Sequence, residues 1–295
     1  MEKRMIEIAR KVFKDDDMNV EFRLLGGMSN YTYVIKNKTN NKMYTIRELG
    51  EYAEKFVYRN EEEIGLDVFY KLGITNKTIY FNKESGEKIS EYVPGKPLSE
   101  VDSIDYELVS ELMKKYHQSN VTLDISYNPF DRLQNYENHL IELGFTLPNE
   151  YLDIRNKFLL ERSYLDKQEK VLCHNDSQPS NFVLKEDGSL IIVDFEFTGM
   201  NDYLYDIACF GNKDMKDAIE LFKVYFKDKT DSELNDLYRR LYLWRCYQCL
   251  QWYNVAMFKE LVGMSKTLCL DFNMFANNYL KLSIDNYNKA LEYKI

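Results

Sequence analysis

The sequence predicts an α+β fold with a small β-rich lobe, residues 1–93, followed by a larger helical lobe, residues 94–295. Two observations carry this. Residues 20–50 alternate in strand fashion, as VEFRLLGGMSNYTYVIKN and KMYTIREL about the polar turn KNKTNNK, and two further strand-like runs, KTIYFN and EKISEYV, flank the turn KESG. After Pro94-Gly95 the texture changes to helices, with apolar residues at spacings of three and four down to the C-terminus.

The elements follow in order. MEKRMIEIARKVFKDDD reads as an amphipathic helix with Ile6, Ile8, Ala9, Val12 and Phe13 as its apolar positions; no apolar core or cleavage site follows its positive start, so it is not a signal peptide. In YRNEEEIGLDVFYKL, Ile64, Val68 and Leu72 lie four apart and predict one helix face. Strand, strand, helix, strand, strand makes a coherent small lobe. The helical half begins with DYELVSELMKKYHQS and is interrupted by one strand-turn-strand island, NFVLKEDGSLIIVDF, in which Asp187-Gly188 signals a hairpin. Two such lobes joined by a short hinge predict a cleft for a small ligand.

Composition narrows the function. The chain carries 39 Lys+Arg against 48 Asp+Glu, a net charge of −9, which argues against nucleic acid as a partner. No apolar run approaches the roughly 20 residues needed to span a bilayer, so no membrane insertion is expected. Five scattered cysteines suit reduced thiols and a cytoplasmic location. Cys246 and Cys249 form a single CxxC without a second pair or a His partner, which argues against zinc. The 24 Tyr and 17 Phe fit either core packing or a cage for an organic cation.

The chemistry concentrates around the island. CHNDSQPSN sets His174, Asp176 and Asn181 in the pattern HxDxxxxN, and the second strand ends in Asp194-Phe195-Glu196. Protein-kinase catalytic loops place a proton-accepting Asp five residues before an Asn that ligates magnesium, and a later Asp at a strand end holds the same metal. A hairpin folds Asn181 back beside Asp194, giving two oxygen ligands for a hard cation. In the first lobe, Gly26, Gly27, Ser29 and Asn30 lie between strand runs, where small residues admit phosphates to backbone N–H groups, a plain hairpin turn being the alternative. Arg47 interrupts a strand where a kinase keeps its phosphate-pairing cation. Glu62 is its expected partner, with Glu61 and Glu63 as adjacent alternatives.

On these residues the chain resembles choline kinases, in particular the bacterial type that supplies phosphocholine for surface polysaccharide, within the superfamily that includes aminoglycoside phosphotransferases. The resemblance runs through LLGGMSNYTYVI, YTIRELG, YRNEEE, SEYVPGKPL, CHNDSQPSNF, VDFEFTGMNDYLYDIA and LWRCYQCLQW. It implies a bilobal protein-kinase-like fold, ATP as co-substrate with Mg²⁺, and a small cationic alcohol, most closely choline, as acceptor. By the same resemblance Asp176, with His174, is catalytic; Asn181, Asp194 and Glu196 hold the metal. Glu91 and Val93 of the hinge join Gly26, Gly27, Ser29, Asn30, Arg47 and Glu62 at the nucleotide. Asp176, Gln178, Phe197, Tyr205, Trp244 and Tyr247 face the substrate, and Asp206 buttresses the catalytic loop.

The chain departs from the family pattern where a Glu often faces the ammonium, since Lys213 stands there, with Asp214 or Glu196 as the substitutes. Phe272 and Phe275 occupy the C-terminal region where a Tyr is common. Kinases of ethanolamine, thiamine or aminoglycosides are the alternative reading, and a catalytically inactive kinase-like binding module a further one. The sequence leaves the oligomeric state open.

Overall fold

The computed structural model describes residues 2–24 and 30–293. In chain order the first elements are α1 (Glu2–Phe13), β1 (Met18–Leu24), β2 (Asn30–Asn37), β3 (Lys42–Leu49), α2 (Arg59–Lys71), β4 (Thr78–Phe81), β5 (Lys88–Glu91), β6 (Gly95–Pro97) and α3 (Tyr106–His117). Next come α4 (Pro129–Glu142), α5 (Asn149–Leu160), α6 (Arg162–Leu165), β7 (Val171–Cys173), β8 (Phe182–Lys185), β9 (Leu190–Ile192) and β10 (Gly199–Asn201). The chain ends with α7 (Tyr203–Phe210), α8 (Met215–Tyr225), α9 (Asp231–Leu261), α10 (Met264–Leu268) and α11 (Phe272–Ala290).

Two compact units divide these elements, one of residues 1–119 and 176–199, the other of 120–175 and 200–295. The sequence boundary at 93/94 follows the change from strands to helices and is a different division. Residues 94–119 and the strand island lie in the unit that holds the larger sheet.

In the first unit, five strands form an antiparallel sheet in the order β1-β2-β3-β5-β4. Its register sets Tyr33 opposite Ile46, Ile35 opposite Tyr44 and Ile46 opposite Ile89. These side chains are buried with Met5 and Ala9 of α1, while Ile6, Ile8, Val12 and Phe13 pack half-buried around them. Burial of this apolar face is what holds α1 on the sheet. The same register puts Arg47 directly opposite Lys88. Like charges so placed repel, and an anion is needed between them.

Helix α2 turns a different face inward from the one its apolar spacing predicts. Its buried residues are Glu62, Gly65, Leu66 and Phe69, and Ile64, Val68 and Leu72 are half-buried. The reason is a close approach at Gly65, where a Cβ would stand only 2.7 Å from Phe195 Cβ. The absent side chain lets α2 settle against the segment after β9, with the Phe69 and Phe195 ring centroids 4.5 Å apart and tilted by 31°. The predicted hairpin forms as β8 and β9, and β6, at the predicted hinge, adds a third strand to it.

The second unit is organised by α9, 31 residues long and started by a capping box between Thr230 and Glu233. It buries residues on every side, consistent with a helix at the centre of its unit. Among the described residues no helix is long and apolar enough to cross a membrane.

Candidate active site

Asp176 opens the site. It follows β7 by a short turn in which Asn175 takes a left-handed backbone (φ 62). Asn181 Nδ2 donates to its Oδ2 (3.0 Å) and to its backbone carbonyl (2.7 Å), and Gln178 Nε2 lies 3.3 Å from both carboxylate oxygens. Burial pushes the Asp176 carboxyl well above its ordinary range, and the charge of Asp194 adds to this, against the bonds from Asn181 and Gln178. A carboxylate raised in this way is a stronger base.

The two bonds to Asp176 fix the Asn181 amide through Nδ2; among the described residues no hydrogen bond falls on its Oδ1, an oxygen that could hold a metal. Val193 N–H donates to the Asn181 carbonyl (2.9 Å), which ties the residue before Asp194 to Asn181. Asp194 itself is left-handed (φ 72), and among the described residues its carboxylate makes one long ion contact, 3.6 Å to Arg47 Nη1. Asp tolerates that conformation better than most residues, and such strain concentrates at functional positions. Among the described residues Glu196 uses only Oε1 in hydrogen bonds, which leaves Oε2 uncommitted there. An all-oxygen set of one amide and two carboxylates suits Mg²⁺, and carboxylate atoms of Glu62, Asp194 and Glu196 already lie within 4.8 Å of one another.

Beside these ligands is a buried ion cluster. Glu62, fully buried, receives Arg47 Nη1 (2.7 Å) and Lys88 Nζ (3.2 Å) on Oε1, and Arg47 Nη2 (3.0 Å) and Arg59 Nη1 (2.6 Å) on Oε2. It is thus the anion that the opposed pair Arg47 and Lys88 requires. Burial would raise its pKa, but Lys88, Arg47 and Arg59 hold it well below the usual carboxylate range. Burial likewise opposes the charge on Arg47, and Glu62 and Glu196 override it so that the guanidinium stays protonated. Glu196 Oε1 accepts from Arg47 Nη1 (3.0 Å), Arg59 Nη1 (3.2 Å) and Asn30 Nδ2 (3.0 Å).

The expected nucleotide residues Gly26, Gly27 and Ser29 lie outside the described residues, and Asn30 is the first described position after them. At the hinge, the Glu91 carbonyl accepts from Asn76 Nδ2, and the Tyr92 N–H donates to Met43 (3.1 Å). Val93 follows them directly.

In the second unit, Asp206 accepts the backbone N–H of His174 (2.9 Å) and of Asn175 (2.7 Å), one on each oxygen. Those residues immediately precede Asp176, and His174 has no exposed surface. Tyr205, Trp244 and Tyr247 are brought together. Tyr205 lies 5.6 Å from the Trp244 ring and 5.8 Å from Tyr247, and all three are buried. Phe197 is half-buried in the other unit. Trp244 Nε1 donates to Asp202 Oδ2 (2.9 Å), which also receives Arg240 (3.0 Å), and the Lys170 ammonium stands 5.9 Å from the Trp244 ring.

Sequence reasoning missed several of these partners. Arg59, in YRNEEE, and Lys88, in EKISEYV, carry no local signal of their burial beside Glu62. Tyr127 joins the ring cluster, with its hydroxyl 3.0 Å from that of Tyr205 and both near Gln251 Oε1 (3.3 and 3.1 Å). Asp202 left a usable signal as the N-cap of α7, where it accepts Leu204 N–H (3.0 Å).

An Asp carboxylate held by an Asn amide, a strand-end Asp and a buried Arg–Glu pair on an antiparallel sheet are the parts from which a protein-kinase-like phosphotransferase is built. Residues 22–217 match the choline/ethanolamine kinase family, and the chain belongs to it. Among curated relatives, Protein LicA of Haemophilus influenzae is 24% identical over 269 residues, covering 83% of this chain and 75% of that protein. Among solved structures, the choline kinase LicA from Streptococcus pneumoniae superposes with a TM-score of 0.74 at 22% identity, over 97% of this chain and 98% of its own. LicA in complex with AMP gives a TM-score of 0.76 at 21% identity with the same coverage.

Proposed function

We propose that the protein transfers the γ-phosphoryl group of ATP to the hydroxyl of choline, giving phosphocholine and ADP. The observation that carries this is the Asp176 carboxylate held by Asn181, together with carboxylate oxygens of Asp194 and Glu196 within 4.8 Å of one another, in a member of the choline/ethanolamine kinase family. The relatives named as choline kinases favour choline over other acceptors.

Residues 1–93 carry the nucleotide in this reading, with Glu91 and Val93 at the base and the Arg47–Glu62 pair near the phosphates. Asp176 orients the choline hydroxyl and accepts its proton as the oxygen attacks the γ-phosphorus and the bond to the ADP oxygen breaks. A base so positioned contributes roughly 10²- to 10⁴-fold. The transition state is loose, so most of the remaining catalysis is positioning and charge neutralisation. Asn181 Oδ1, Asp194 and Glu196 Oε2 would hold Mg²⁺, which when bound neutralises phosphate charge. His174, which has no exposed surface, and Asp206 keep the loop before Asp176 in shape.

A quaternary ammonium cannot donate hydrogen bonds, so ring faces are its natural partners, each worth up to about 2 kcal/mol when desolvated. Phe197, Tyr205 and Tyr247 are the rings we assign to it. Trp244, bonded through its indole N–H to Asp202, braces Tyr205. The cysteines, none of them in a disulfide, fit a cytoplasmic enzyme. The test is a panel of choline, ethanolamine and kanamycin as separate acceptors with ATP and Mg²⁺. Choline is expected to have the highest kcat/KM, and a tenfold preference for either other acceptor would overturn the assignment.

A further inference from the structure

We propose that Arg59 is a second phosphate-binding cation, presenting its Nη2 amino group to the terminal phosphates of the nucleotide. This rests on the kinase reading above. Arg47, the cation expected from sequence, directs its Nη groups at protein acceptors: Nη1 to Glu62 and Glu196, Nη2 to Glu62 and to the Gly86 carbonyl (2.9 Å). Among the described residues only its Nε is left over. Arg59 directs Nη1 alone at Glu62 and Glu196, and its Nη2 group is shielded from solvent without a partner among the described residues. A buried charged donor left unbonded is costly, and an oxyanion is the group that would satisfy it.

Three further observations agree. Within the cluster the three cations Arg47, Arg59 and Lys88 face the three carboxylates Glu62, Glu196 and Asp194, so these six charges balance and leave no excess negative charge among them to repel a phosphate. Arg59 is the first residue of α2, where the helix dipole favours anions, so a cation there is retained against its local preference. Glu196 Oε1 binds both Arg59 Nη1 and Asn30 Nδ2, which brings the guanidinium to the strand that leaves the predicted glycine loop. A planar fork that keeps one arm on carboxylates and offers the other to phosphate is chemistry a lysine cannot reproduce.

The experiment titrates wild type, R59Q and R59K with ATP, ADP, AMP and adenosine. For R59Q, ATP affinity should fall tenfold or more while AMP and adenosine stay within twofold; ADP follows ATP if the contact is to the β-phosphate and AMP if it is to the γ-phosphate. Equal loss for ATP and AMP, or no loss for ATP, overturns the proposal. If R59Q does not fold, R59K decides. A mere brace for Glu62 would be restored by lysine, so wild-type ATP affinity in R59K refutes phosphate binding, and a threefold or greater loss confined to ATP supports it. No acceptor is present in these titrations. A protein that binds ATP in this Arg59-dependent way but phosphorylates no choline would sink the substrate assignment and leave this one standing.

Discussion

Replacing Glu62 with Gln removes one charge from the centre of the ion cluster while keeping its shape. Four contacts between 2.6 and 3.2 Å, from Arg47, Arg59 and Lys88, then lose their anion, and the Gln amide hydrogens confront guanidinium donors. Removing one member of a buried ion pair costs about 3–5 kcal/mol. At roughly 2–4 °C per kcal/mol, Glu62→Gln should melt about 6–20 °C below wild type near pH 7. The pH dependence has a definite sign. The folded protein holds the Glu62 carboxyl below its unfolded value of about 4.3, so its contribution is complete above that pH and is lost as pH falls toward the folded value. Thermal melts at pH 7, 5 and 3.5 should show a gap that is steady between the first two and smaller at the third. A gap under 2 °C at pH 7, or one that widens in acid, would refute the reasoning.

Three other substitutions test separate parts of the site. Asp206→Asn can accept only one of the two backbone N–H groups of His174 and Asn175, so chemical denaturation should show a loss of about 1.5–3 kcal/mol together with a fall in kcat. At Gly86, with φ +68, an Ala would cost about 1–2 kcal/mol of backbone strain and set its Cβ 2.6 Å from Leu49 and 3.0 Å from Arg59 Cζ; KM for ATP should rise more than KM for choline. Trp244→Phe keeps a ring but removes a bond to Asp202, so stability should drop by about 1–3 kcal/mol with KM for choline changed less than threefold if Trp244 acts as a brace.

What was legible in the sequence was mostly what local spacing dictates. HxDxxxxN and DFE lie on either side of a hairpin with a standard Asp-Gly turn, so covalent proximity alone ties Asn181 to the strand before Asp194. Glu62 could not be told from Glu61 and Glu63 by spacing. Its burial depends on Gly65, whose missing side chain rotates α2 toward the segment after β9. Arg59 and Lys88 were invisible for a related reason, since a charge reads as solvated until a buried carboxylate appears beside it. The ring cluster was half legible. Trp244 and Tyr247 stand three apart on one helix, whereas Tyr127 joins them across 78 residues from Tyr205, by a hydroxyl pairing that no periodicity encodes.

The central claim is that Asp176 takes the proton of an alcohol during phosphoryl transfer from ATP. Phosphorus NMR of purified protein with ATP, Mg²⁺ and choline tests it most directly, run beside Asp176→Ala with ATP affinity measured for both. The account predicts phosphocholine from the wild type and a rate lower by roughly 10²- to 10⁴-fold in the variant, with ATP affinity changed only a few-fold. Wild-type turnover in Asp176→Ala, or no phosphocholine from the wild type, would contradict it.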